Sequence, residues 1–259
     1  QISKLYELYS DVDITFTKDI VYATSLNQKD IYVRYGGIQR KCLLYSTSMK
    51  KGSIILSTAD NFVNQVRESG NLVSLRLSFN VPGKNDIISF FINSRVTGYS
   101  EYSAPDSGLS YAFLSCTQRP PDDMIVILGQ LLEANINFQK RKDLRIIVNH
   151  GNYKALGLTS REISIIIENI PRKAILVDIS ASGIMIIGVK VFKFHLNKPI
   201  IAKFHSDFPN WQIPGKIVRT ENIPGRNDVV LIGIHLAQET IPASFKMQIE
   251  NYLKSTKEQ

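Results

Sequence analysis

The stretch QKRKDLR, residues 139 to 145, places four cationic side chains, Lys140, Arg141, Lys142 and Arg145, in seven residues between two apolar runs. A guanidinium group is a planar fork of N–H donors that meets phosphate or carboxylate bidentately, so an arginine pair here is suited to an anionic ligand. The competing reading is a solvated basic link between two domains. Arg141 and Arg145 form the only RxxxR spacing in the chain. About thirty residues on, AILVDISASGIMIIG (174 to 188) carries Asp178, Ser180 and Gly183 as DxSxxG. An acid, a hydroxyl and a glycine at a strand end are ordinary turn formers. They also combine an acceptor, a hydroxyl and a position without a Cβ, which is what a polar ligand site requires, and the two readings are compatible.

These groups must be positioned by a largely β scaffold. The segments DIYVRY (30 to 35), GSIILST (52 to 58), LVSLRLSF (72 to 79), DIISFFINSRV (86 to 96) and YAFLSC (111 to 116) read as strands bounded by turn residues. After residue 144 the texture resumes in LRIIVNH, ISIIIEN, AILVDIS, GIMIIG, PIIAKFH, GKIVRTE and VVLIGIHLA. Two helices interrupt it, PDDMIVILGQLLEAN (121 to 135) and IPASFKMQIENYL (241 to 253), each opening on a proline that fits a first helical turn. Both follow a strand, loop, strand unit, SRVTGYSEY to YAFLSCTQ in the first half and GKIVRTEN to VVLIGIHLAQET in the second. The expected fold is mainly β: two small antiparallel β-barrels, each followed by a C-terminal helix. The expected division is 1–135 for the first barrel, 136–145 for a linker holding RxxxR, and 146–259 for the second barrel.

Composition narrows the function classes. At 259 residues and 44% hydrophobic, the chain can bury real cores, and its formal charge of +8 favours acidic partners. Cys42 and Cys116 make no CxxC spacing, which fits a reducing, cytoplasmic setting. No apolar run approaches the roughly 18 residues of a membrane-crossing helix. His150, His195, His205 and His235 are scattered without HxxxH or HxH spacing, and there is no GxSxG, Walker or GxGxxG motif. Nothing points to catalysis or to a metal, and Asp122 with Asp123 suits a helix N-terminus better than an acid/base pair. Trp211 reads as a core or interface aromatic. Arg219, in GKIVRTE, reads as a barrel-strand residue, with a place on the ligand face as the alternative.

With RKDLR, DISASG, GKIVRTE, VVLIGIHLA and the closing helix in that order, residues 139 to 254 resemble the PilZ domain, a bacterial receptor module for cyclic di-GMP. With a motif-free barrel in front, the whole chain resembles the two-domain PilZ receptors of the YcgR and PlzA kind, and its size and Ile/Lys-rich texture are most similar to the spirochaetal PlzA type. The resemblance implies cyclic di-GMP as ligand, held by Arg141, Arg145, Asp178, Ser180 and Gly183 with Lys140 as a further phosphate contact, no cofactor and no enzymatic activity. An arginine fork can meet guanine O6 and N7, and an ionised carboxylate can accept from guanine N1 and N2. Lys142 and Asp143 depart from the bulkier residues usual inside the arginine motif. The resemblance further implies a monomeric signalling protein whose domain arrangement changes on binding, with an unknown downstream protein and an output such as motility, virulence regulation or gene expression. Nucleic-acid binding is the alternative, drawn from net charge and barrel architecture.

Overall fold

The computed structural model describes residues 1–57, 61–81, 86–102, 108–140, 144–208 and 211–256. It divides into two compact units, Gln1–Leu132 and Glu133–Gln259. In chain order the first contains α1 (Ile2–Tyr9), β1 (Ile14–Thr15), α2 (Lys18–Thr24), β2 (Tyr32–Tyr35), β3 (Ile38–Lys41), β4 (Leu43–Thr47), β5 (Lys51–Ser57), α3 (Phe62–Glu68), β6 (Leu72–Asn80), β7 (Ile87–Glu101) and β8 (Leu109–Cys116). Helix α4 (Asp122–Lys140) follows, and then β9 (Ile146–Ile147), β10 (Leu158–Ile167), β11 (Ile170–Ile179), β12 (Gly183–Val189), β13 (Pro199–Ser206), β14 (Gln212–Ile223), β15 (Arg226–Leu236) and α5 (Ala243–Ser255). Among the described residues no helix is long and apolar enough to cross a membrane.

In the second unit the hydrophobic alternation of each strand dictates its inner face. Ile163, Ile165 and Ile167 on β10, Ala174 and Leu176 on β11, and Val230, Ile232, Ile234 and Leu236 on β15 are all buried in one core. The antiparallel order is β10-β13-β14-β15-β12-β11, and β10 pairs back onto β11, so six strands close into a barrel. Closure leaves none of the six with an unpaired edge along its whole length. Helix α5 closes the unit with Phe245 and Ile249, one turn apart and both buried. Trp211 is a core residue: its ring stacks on Phe208 at 5.0 Å, meets Phe245 edge-on, and its Nε1 donates to Ser244 Oγ at 3.0 Å.

The first unit follows the order β1-β4-β5-β8-β7-β6-β2-β3. Its strands match those of the second unit one for one except at the closing position. There β2 turns through Gly36 and Gly37, both at positive φ, into β3, which continues through the single residue Cys42 into β4, so that β3 and β4 together take the place of the one strand β11. The mainly β class and the helix after each sheet agree with the sequence reading, and the two β-hairpin-plus-helix units align as the sequence suggested.

Several local expectations are corrected. Helices α1, α2 and α3 went unread because seven or eight residues span only two turns, too short for a periodic signal. The helix expected at 121 to 135 runs on to Lys140, with Ala134 and Phe138 continuing its buried face. Gln139 and Lys140 therefore belong to its last turn. Of LRIIVNH, only Ile146 and Ile147 pair as strand.

Candidate functional site

The site is assembled where β11 changes partners. Residues 170–175 of β11 pair with β10, but Asp178 and Ile179 pair with Ile147 and Ile146 of the two-residue β9. That short ladder carries the end of the basic run to the acid of DxSxxG. Ile146 is buried while Ile147 is exposed, so Ile146 anchors the strand and its neighbours face outward. Arg145 Nη1 donates to Asp178 Oδ1 at 2.9 Å, across 33 residues of sequence.

A β-bulge aims the carboxylate. Leu176 opposes Ile186 and Asp178 opposes Met185, so Val177 is an extra residue on β11. Without it, Asp178 would share the inward parity of Ala174 and Leu176. With it, Ile179 takes the inward place and Asp178 turns to the outer face, which is a recognised use of a bulge. Val148 N donates to the Val177 carbonyl at 2.8 Å and fixes the bulge. The Asp178 side chain is 12% exposed against 51% for Arg145, and its Oδ2 takes no hydrogen bond among the described residues. A partly solvated pair of this kind adds at most about 1 kcal/mol to stability. Its effect is orientation: an ionised acceptor is held at the rim beside a guanidinium with unused N–H donors.

Ser180 and Gly183 build the turn beneath this pair. Ser180 N donates to the Gly183 carbonyl at 2.8 Å, Ser180 Oγ donates to the same oxygen at 3.0 Å, and Gly183 N donates to Ser180 Oγ at 3.1 Å. The serine hydroxyl is thus engaged by its own backbone, the turn-forming reading of this residue. At Gly183 a Cβ would lie 2.2 Å from the Ile234 carbonyl oxygen on β15, so the glycine is required by the neighbouring strand. Lys140 is exposed at the end of α4 with no hydrogen bond or ion pair among the described residues. Arg141, together with Lys142 and Asp143, lies outside the described residues.

The ladder continues beyond the two motifs. Ile147, Asp178, Met185, Gly233 and Arg219 oppose one another in turn across β9, β11, β12, β15 and β14. A second bulge, at Val218, turns Arg219 outward although it has the parity of buried Ile217. Arg219 lies across Gly233, where a Cβ would sit 2.7 Å from its Cγ, and its Nη2 approaches Met185 Sδ at 3.8 Å. Sequence reasoning placed Arg219 on the barrel strand and left its facing to the alternative. The available signal was an arginine two residues after a core isoleucine, which a regular strand would bury. No group of three or more His, Cys, Asp or Glu that could hold a metal occurs among the described residues.

Comparison with known proteins matches residues 1–135 to the PilZN3 domain and residues 139–255 to the PilZ domain. A protein of Treponema denticola described as a cyclic di-GMP binding protein is 35% identical over 254 residues, covering 97% of this chain and 81% of its own. Among solved structures, the PlzA protein of Borreliella burgdorferi, in complex with c-di-GMP, is 21% identical, with 97% of each chain covered and a TM-score of 0.42. YcgR from Escherichia coli, also in complex with c-di-GMP, is 10% identical, with 92% of this chain and 88% of that one covered and a TM-score of 0.29. On the family match and the 35% relative, the chain belongs to the two-domain PilZ proteins, with a PilZN3 domain followed by a PilZ domain.

Proposed function

We propose that the second domain is a cyclic di-GMP receptor site, and that ligand occupancy changes the arrangement of the two domains to regulate a downstream process such as motility or gene expression. The observation that carries the reading is the Arg145–Asp178 pair, built on the outer face by β9 and the Val177 bulge. Cyclic di-GMP needs a cation for phosphate or for guanine O6 and N7, and an acceptor for guanine N1–H and N2–H. Arg145 offers the first and the free Oδ2 of Asp178 the second. Arg141 and Lys140 supply further positive charge from the same basic run. Ser180 and Gly183 act by holding the turn. We assign the barrel domains to 1–135 and 146–259 and the switch to the segment between them, because the arginine motif lies there.

Calorimetric titration of the full chain with cyclic di-GMP, beside Arg145→Ala, tests the binding. Saturable binding that weakens ~100-fold in the variant is expected, the loss typical of truncating one partner of a hydrogen-bonded charge pair. Retention of wild-type affinity in Arg145→Ala contradicts the site. For the domain rearrangement, solution scattering with saturating ligand must differ from that without it; superimposable profiles refute the switch even where binding holds. The net charge of +8 supports nucleic acid as a second reading. Binding carried by phosphate neutralisation falls steeply with salt and survives Asp178→Ala, whereas guanine readout does not survive it.

A further inference from the structure

We infer that Arg219 is a third ligand-binding arginine, whose guanidinium plane stacks on the guanine that Asp178 reads, and that Gly233 is the position that makes room for it. The inference rests on the cyclic di-GMP reading of the site and adds a residue outside both sequence motifs.

The register places Arg219 three strands from Asp178 along one row, with Met185 and Gly233 between them. With strands about 4.8 Å apart, an arginine standing upright at that position would be too remote to share a base with Asp178. The missing side chain at Gly233 changes this. Arg219 lies down across β15, its Cγ and Nε within 3 Å of where a Cβ would be, and its Nη2 reaches Met185 on β12, one strand from Asp178. The side chain is about half exposed, and its nearest acidic oxygen, Glu221 Oε1, is 3.5 Å away, too long for a firm hydrogen bond. Met185 thus lies in the row between Asp178, which Arg145 holds, and the Arg219 guanidinium. Purine faces stack on arginine planes, and a polarisable thioether suits such a contact.

The first unit argues that this is an arrangement for a ligand and not a demand of the fold. At the matching bulge, after Thr97, the residue corresponding to Arg219 is Gly98, and it opposes Phe113. There the glycine stands on the first strand and the side chain on the second. A Cβ at Gly98 would meet only Phe113 Cδ2, at 3.8 Å, and one at Gly233 would meet only the Arg219 side chain, so the backbone of neither hairpin demands the glycine. Only the second unit lays a cation towards the acid.

The test is titration of the full chain with cyclic di-GMP for wild type, Arg219→Ala, Arg219→Lys and Gly233→Ala, with a thermal melt of each. Arg219→Ala is expected to bind about tenfold more weakly at an unchanged melting temperature, the scale of one lost stacking contact. Arg219→Lys keeps the charge but not the plane, and is expected to remain about fivefold weak. Gly233→Ala, which displaces the arginine without removing its charge, is expected to weaken binding comparably; if that variant does not fold, Arg219→Ala decides. Wild-type affinity in Arg219→Ala, with Arg145→Ala still defective, overturns the inference and leaves the receptor reading standing. Full recovery in Arg219→Lys overturns the stacking geometry, because a point charge would then suffice. Failure of the wild type itself to bind removes the inference together with the reading beneath it.

Discussion

The two units present one scaffold with two different rows of side chains. In the second, Ile147, Asp178, Met185, Gly233 and Arg219 line up across the strands; in the first, the same register brings together Thr15, Ser46, Ser53, Phe113 and Gly98. Even the turn is shared. Ser48 N donates to the Lys51 carbonyl at 2.8 Å and Lys51 N to Ser48 Oγ at 3.2 Å, matching Ser180 and Gly183. The bulges recur at Tyr45 and Thr97. Yet the place of Asp178 is taken by Ser46, whose hydroxyl is paired with that of Ser53 at 2.7 Å, and the place of Arg145 by Asp13, which bridges Lys51. The first unit has kept the bulge, the turn and the register, but it has no acid at the place of Asp178 and no cation at the place of Arg145. Backbone geometry is therefore not the site; it is the mount, and four or five side chains decide what the mount can hold.

That comparison can be broken at graded cost. The largest expected effect is Gly183→Ala, because its Cβ would enter the Ile234 carbonyl oxygen. A loss of about 3 kcal/mol, read as a lowered denaturant midpoint, is expected, whereas Lys51→Ala at the matching turn position should stay within about 0.5 kcal/mol. Next comes Asp178→Ser, which installs the first unit's residue. Affinity for cyclic di-GMP should fall ~100-fold while stability moves by less than about 1 kcal/mol, since the ion pair is partly solvated. Preserved affinity would mean that the acid does not read the ligand. Smaller again, Ser48→Ala and Ser180→Ala should each cost about 1 kcal/mol for the turn hydroxyl, but only Ser180→Ala should also weaken binding.

The smallest effect concerns the place where the first unit breaks the strand that is continuous in the second. Cys42 lies between β3 and β4, and burial pushes its thiol up to about 12. It should stay neutral and resist iodoacetamide at pH 8, while the half-buried Cys116 reacts first; rapid Cys42 labelling would show that the β3 edge opens.

The sequence made some of this legible and hid the rest for definite reasons. Strand texture, the closing helices and the paired strand-loop-strand-helix units follow from period-two hydrophobicity and proline placement, and they recur in the structure. Asp178 and Arg145 were singled out by spacing together with the family resemblance, and the structure pairs their side chains. Period-two alternation pointed the wrong way for both Asp178 and Arg219, since each has the parity of a core residue, Leu176 and Ile217. One inserted residue, Val177 or Val218, reverses that parity, and nothing in a valine announces a bulge. Asp178 was rescued by its motif, while Arg219 had none. The β2–β3 hairpin of the first unit was written in the sequence as Gly36-Gly37 between YVRY and IQRK, a two-residue hairpin signal that the strand count passed over.

The most direct test of the central claim, that one mount is equipped and the other is not, is amide hydrogen exchange of the full chain with and without saturating cyclic di-GMP. Protection confined to the second unit, over 144–149 and 177–186, with 12–17 and 45–54 unchanged, is the result predicted. Equal protection of the matching segments in the first unit, or none in either, would contradict it.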